Sequence, residues 1–121
     1  MNHQLPTIGL IGIGQIGMPV AANLIKAGYD VVGYRRTHTQ AFADIGGKPM
    51  GSPSDVARAA KIILMCLPHE QAQQEAMEAL IDHLTNEHVV VELGTYRRSF
   101  KLEQAERIEA RGARVLEAEI S

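Results

Sequence analysis

The chain has 121 residues, 45% of them hydrophobic and 21% charged, with a formal net charge of −2 and a single cysteine. It is long enough for one domain with a real core and too apolar for a disordered chain. The charge balance lacks the field that draws proteins to nucleic acid or anionic lipid, no apolar run approaches the about 20 residues that span a bilayer, and Cys66 has no internal disulfide partner. No nucleic-acid or membrane partner is expected. With no charged leader ahead of a long apolar core, a reducing cytoplasm is the expected compartment.

In chain order, "TIGLIGIG" opens with aliphatic residues that stop at glycines, which predicts a strand buried on both faces over Thr7 to Ile11. After Gly17, "MPVAANLIKAG" sets Val20, Ala21, Leu24 and Ile25 at helical spacing, with Pro19 in the first turn and Gly28 past the end. "DVVGY" reads as a second strand, "THTQAFADIGG" as a short helix, and "KPMG" as a brief third strand whose proline puts it near an edge. Ser52, Pro53 and Asp55 make a helix start: a hydroxyl to cap, a proline at the first helical position and an acid near the positive end. "KIILMCLP" is the clearest strand. "HEQAQQEAMEALIDHL" follows as a helix with the stripe Ala72, Ala76, Leu80 and Leu84. "HVVVELGT" is a fifth strand, "SFKLEQAERIEARG" a helix packed through Leu102, Ala105 and Ile108, and "ARVLEAEI" a sixth strand. Strands and helices alternate with short connections, which predicts an α/β domain with a parallel sheet covered on both faces.

"GIGQIG" places Gly12, Gly14 and Gly17 in G-x-G-x-x-G spacing between a predicted strand and a predicted helix. In a dinucleotide-binding unit the first glycine makes the sharp turn, the second admits the pyrophosphate, and the third lets helix and strand pack closely. The helix N-terminus then offers free N–H groups to the phosphates. The alternative is a glycine-rich turn with no ligand, and the flanking strand and helix argue against it. The expected fold is thus a single doubly wound Rossmann domain over residues 1–121 with strand order 3-2-1-4-5-6.

About twenty positions after the first glycine, the tip of the second strand meets the adenosine ribose. An acid there would bind the 2′-hydroxyl of NAD. This chain has Arg35, Arg36 and Thr37 instead, two guanidiniums and a hydroxyl, while Asp30 lies before the strand at its wrong end. Such a group suits a 2′-phosphate and predicts NADP over NAD.

Five histidines, His3, His38, His69, His83 and His88, show no ligand spacing with cysteine or carboxylate, so no metal site is predicted. Cys66, among apolar neighbours, reads as core packing. His69 at the carboxyl edge of the sheet reads equally as a ligand neighbour and as a helix-start residue. Glu75, Glu78 and Asp82 read as a charged helix face.

With the glycine loop, the paired arginines and "CLP" together, nearly the whole chain resembles the N-terminal cofactor domain of the β-hydroxyacid dehydrogenase family. That group includes 3-hydroxyisobutyrate dehydrogenase, tartronate semialdehyde reductase, 6-phosphogluconate dehydrogenase and the imine reductases. The opening "IGLIGIGQIGMPVAANLIKAGYDVVGYRRT" looks like the family's G-x-G-x-M-G, with Ile16 in place of the methionine and Asn23 and Leu24 matching. Arg36 and Thr37 fit the family's Asn-Arg-Thr, with Arg35 in the asparagine position.

The resemblance implies an NADP(H)-dependent oxidoreductase acting on a small 3-hydroxy acid or its semialdehyde. The alternatives are an imine reductase or a nucleotide-sensing module without catalysis. It implies that Gly12, Ile13, Gly14, Gln15, Ile16 and Gly17 carry the pyrophosphate, that Arg35, Arg36 and Thr37 hold the 2′-phosphate, and that Leu67 and Pro68 line the ribose. "ELGT" stands where relatives have Asp-x-Ser-Thr: Thr95 matches and faces the nicotinamide, Gly94 replaces the serine, and Glu92 replaces the aspartate. "EAEIS" stands for Asp-Ala-Pro-Val-Ser, with Ser121 on the substrate-binding serine and Glu119 on the proline. A carboxylate this close would disfavour an acidic substrate. In relatives a helical second domain supplies the lysine acid/base and the oligomer contacts. Lys26, Lys48, Lys61 and Lys101 do not fall on that motif, so this chain is expected to bind cofactor without turning over.

Overall fold

The computed structural model describes residues 5–118. Six strands form one sheet: β1 (Ile8–Ile11), β2 (Val31–Tyr34), β3 (Lys48–Pro49), β4 (Ile62–Met65), β5 (Val89–Glu92) and β6 (Arg114–Glu117). Their spatial order is β3-β2-β1-β4-β5-β6 and every neighbouring pair is parallel. Ile8 lies opposite Val31 on one side and Ile62 on the other, so β1 is the centre about which the chain winds both ways. Strand order, parallel pairing and the short β3 at the edge are as the sequence predicts, and Pro49, which has no N–H to donate, sits where no further strand needs one.

The helices are α1 (Gly17–Lys26), α2 (Gln40–Asp44), α3 (Pro53–Ala59), α4 (Glu70–Leu80) with a 3₁₀ turn at Ile81–His83, and α5 (Arg98–Ala110). Alternation along each strand divides the core between the two faces. Ile8 and Leu10 pack with Ala21, Val31 and Phe42 under α1 and α2, whereas Ile11, Ile63 and Met65 pack with Val56, Met77 and Leu80 under α3 and α4. Each such side chain, wholly buried like Leu10, contributes about 1.5–3 kcal/mol.

Helix α3 starts as expected: Ser52 is extended, its Oγ accepts the Asp55 N–H at 3.2 Å, and Pro53 is the first helical residue. The buried faces of two helices differ in part from those expected. On α4, Ala76 and Leu80 are buried as expected, with Leu84 just beyond its end, while Gln73 and Met77 join them and Ala72 is only half-buried. On α5 the buried residues are Lys101, Gln104 and Ile108, while Leu102 is 51% exposed. The reason is angular. At 3.6 residues per turn, positions 101, 104 and 108 fall within an arc of about 60°, whereas 102 stands about 120° from 108. His88 is buried at the foot of β5. Its Nδ1 accepts the Thr85 N–H at 2.9 Å, so the proton sits on Nε2 and is donated to the Ala57 carbonyl at 2.8 Å, tying β5 to α3.

Candidate functional site: a cleft over the carboxyl ends of the strands

The site begins where β1 ends. Gly12 has φ +94°, and a Cβ there would run into the Cys66 carbonyl of the neighbouring β4 exit. A Cβ on Gly17 would run into the carbonyl of Gly12, so helix and turn touch backbone to backbone. Gly14 differs from both, because a Cβ added there meets nothing within 4 Å. Its open side is space kept clear above the turn rather than space filled by the protein. Helix α1 follows with Ile16 at its N-cap, no side chain capping it and no acid in its first turn. Its positive end is therefore left for an anion. The side chain of Ile13 is buried and anchors the loop, while Gln15 and Ile16 are exposed.

These residues floor a cleft of about 680 Å³ lined also by Tyr34, Arg35, Arg36, Leu67 and Pro68. Arg35 spans from β2 back to the loop, and its Nη1 donates to the Ile13 carbonyl at 3.1 Å. It braces the turn as well as facing the cleft, a role the sequence did not disclose. Arg36 is exposed. Thr37 and Thr95 are exposed and do not line the cleft, and the Thr37 Oγ1 lies 2.8 Å from Nδ1 of His38, a residue in the left-handed region at φ 62°. Glu75, read from sequence as part of a solvated face, lines the cleft from α4. Ser121 and Glu119 lie outside the described residues.

The loop leaving β4 lines the cleft through Leu67 and Pro68, and the loop leaving β5 lies behind it. The Tyr96 hydroxyl donates to the Leu67 carbonyl at 2.7 Å, and Arg97 bonds Glu70 at 2.7 Å, so the two loops are tied together. The ion pair holds Glu70 below the usual carboxylate range. Gly94 stands where the resemblance has serine because the Tyr96 ring fills the space a side chain would take. His69 is the N-cap of α4, its Nδ1 accepting the Ala72 N–H at 3.1 Å, which settles it as a helix-start residue.

Beneath the β5 loop lies Glu92, 8% exposed. One carboxylate oxygen accepts the Gly94 N–H at 2.9 Å and the other accepts from Gln73 Nε2. Burial pushes its pKa up to about 7, against the pull of Gly94, Lys101 and Gln73. The carboxylate points inward and does not line the cleft. Burial, then Glu92, pushes the Cys66 thiol up to about 12, which makes it packing rather than a nucleophile. Sequence reading missed Gln73, Tyr96 and the Glu70–Arg97 pair. Only Gln73 left a signal, as the polar member of the stripe at 73, 76, 77 and 80. Among the described residues no three His, Cys, Asp or Glu side chains are grouped to hold a metal, and no helix is long and apolar enough to cross a membrane.

Residues 7–121 match the family model of the NAD binding domain of 6-phosphogluconate dehydrogenase. The chain is 30% identical to an uncharacterised oxidoreductase of Synechocystis over 94% of its own length and 42% of that protein. It is 29% identical to the mitochondrial 3-hydroxyisobutyrate dehydrogenase of Rattus norvegicus, over 94% of this chain and 36% of that one. In fold it is similar to an imine reductase from Pseudomonas sp., with a TM-score of 0.89 at 21% identity, covering 98% of this chain and 42% of that one. The chain therefore spans about two fifths of the length of the relatives it matches.

Proposed function

Because this chain belongs to the family of the NAD binding domain of 6-phosphogluconate dehydrogenase, we propose that it is the NADP(H)-binding half of an oxidoreductase acting on a small 3-hydroxy acid or its semialdehyde. The observation that carries this reading is the contrast among the glycines: two are glycine because protein touches them, and Gly14 is glycine although nothing does. A turn that keeps an empty approach, under an uncapped helix end, suits a pyrophosphate. When bound, the nicotinamide ring supplies the hydride.

The chain's own residues do the rest. The backbone from Gly12 to Gly17 receives the pyrophosphate, Arg36 and Arg35 meet the 2′-phosphate, and Leu67 and Pro68 give the ribose an apolar wall. Arg35 holds the Ile13 carbonyl, so the phosphate turn and the discriminating tip of β2 move as one piece. Thr95 stands on the tied β5 loop, toward the nicotinamide end. A proton for the substrate oxygen, and the contacts of a homo-oligomer, come from a helical second domain in this reading. A lysine-bearing helical segment encoded downstream of Ser121 is the expected finding. A separate effector domain there would favour nucleotide sensing instead.

Titration with NADPH and NADH tests the cofactor half directly. One charge-assisted contact contributes about 1.5–3 kcal/mol, so NADPH is expected to bind roughly ten- to a hundred-fold tighter. Arg36→Ala should lower affinity for NADPH alone. Arg35→Ala should weaken both nucleotides, because the Ile13 carbonyl loses its brace. Equal affinities in the unaltered chain would remove the NADP assignment.

A further inference from the structure

The β5 loop carries the exposed Thr95, and three of the contacts that hold it matter here. Two are on its outer side: the Tyr96 hydroxyl on the Leu67 carbonyl, and the Arg97–Glu70 pair, whose arginine is largely in water. The third lies underneath and is of another kind. Glu92 and Gln73, 8% and 0% exposed, form a buried pair whose carboxylate also takes the Gly94 N–H. The Gln73 Oε1 has no hydrogen-bond partner among the described residues.

The donor inventory makes this pair sensitive to one proton. An ionised carboxylate only accepts, and here each oxygen faces a donor, Gly94 N–H on one side and Gln73 Nε2 on the other. A neutral carboxyl carries an O–H that must point at an acceptor. Toward Gly94 it meets another N–H, and the loop contact breaks. Toward Gln73 it is satisfied only if the amide turns to present its unpartnered Oε1, which gives up the contact of Nε2 with the Met65 sulfur at 3.5 Å. Glu92 therefore has one arrangement that holds Gly94 without rearrangement, the ionised one.

We propose that Glu92, seated on Gln73, is a positioning residue for the nicotinamide end of the cleft: its ionised carboxylate fixes Gly94 and so sets the loop that presents Thr95. This rests on the cofactor reading above. Among the described residues the charged or titratable groups facing Glu92 are Lys101, Glu117, Cys66 and Tyr96. Lys101 from α5 favours the ionised form and Glu117 from β6 opposes it. Cys66 at the exit of β4 and Tyr96 in the loop both feel Glu92, and burial raises both, so they keep their protons through neutrality. Burial puts the Glu92 proton itself within the neutral range, near 7.

The test compares NADPH with 2′-phospho-ADP-ribose, which shares every group except the nicotinamide ring, between pH 6 and pH 8. Ionisation of the common 2′-phosphate cancels in the ratio of the two affinities. The ratio is expected to shift several-fold toward NADPH as pH rises in the unaltered chain and to stay flat in Glu92→Gln. That variant keeps an acceptor for Gly94 and offers an N–H to the Gln73 Oε1. The Gly94 amide resonance, followed without nucleotide, should titrate with a midpoint near 7 in the unaltered chain and be static in the variant; should the variant not fold, the unaltered chain alone still decides. A flat ratio, a static Gly94 amide, or a slope that persists in Glu92→Gln and so belongs to another group overturns the inference. If neither nucleotide binds at any pH while the Gly94 amide titrates, the cofactor reading falls and takes the loop's role with it, an outcome distinguishable from a flat ratio because no affinity is measured.

Discussion

The exits of β1 and β5 are built by opposite means. At the β1 end, shape comes from backbone: three glycines, a bare helix terminus and a carbonyl braced by Arg35. At the β5 end, shape comes from side chains: Glu92 with Gln73 below, Tyr96 and the Glu70–Arg97 pair above. A backbone-built site is indifferent to pH and intolerant of a single added carbon. A site built on a buried carboxylate tolerates an isosteric change and responds to protons.

The strongest test of that contrast is at the glycines. Gly14→Ala is expected to leave the melting temperature nearly unchanged, since the added carbon meets no protein atom, and to weaken nucleotide binding severely, as measured by calorimetry. Gly17→Ala should do the reverse in origin: it drives its Cβ into the Gly12 carbonyl and lowers stability by about 1–3 kcal/mol or more, losing binding only through the damaged turn. If Gly14→Ala bound nucleotide normally, the open approach would not be a phosphate site.

At the other end the expected effect is on stability and depends on pH. The folded pKa of Glu92 is raised from the ordinary 4.5 to about 7, so the folded chain holds the proton more tightly than the unfolded one. That contribution is fully present below 4.5, declines as pH rises, and is gone above about 7. Glu92→Gln, which carries no charge to bury, should therefore gain on the unaltered chain between pH 5 and pH 8. The gain is at most about 3 kcal/mol at about 1.4 kcal/mol per tenfold in proton affinity. Thermal melts of the two chains at both pH values measure it. A constant difference would mean that Glu92 is already neutral or already well solvated.

The same contrast explains what could be read before the structure. The sheet order, the capped start of α3 and the three glycines follow from local patterns of residue type and spacing, and each lies where the pattern places it. The family match agrees with the resemblance drawn from those motifs. Gln73 on α4 and Glu92 on β5 are 19 residues apart and meet only because the helix packs back onto the sheet. No window of sequence contains that contact. Arg35 was legible as a charge at the tip of β2, but its bond to Ile13, 22 residues back, was not.

Helix α5 gives the smallest expected effect and a clear decision between two faces. The apolar residues Leu102, Ala105 and Ile108 suggest one stripe, yet the buried set is Lys101, Gln104 and Ile108. Were the apolar stripe the packed one, Leu102→Lys would bury a charge and remove a core side chain, costing about 2–5 kcal/mol. With Leu102 half in water on the outer side, the cost should stay within about 0.5 kcal/mol. Gln104→Lys provides the opposite arm. Gln104 is 4% exposed, its Nε2 donates to Gln74 at 2.8 Å, and its Oε1 is unpartnered, so a second ammonium beside Lys101 should destabilise α5 well beyond the Leu102 change. Urea unfolding of the two variants side by side reads the orientation of the helix. Leu102→Lys proving the more damaging would turn α5 by about 100° and withdraw Lys101 from Glu92.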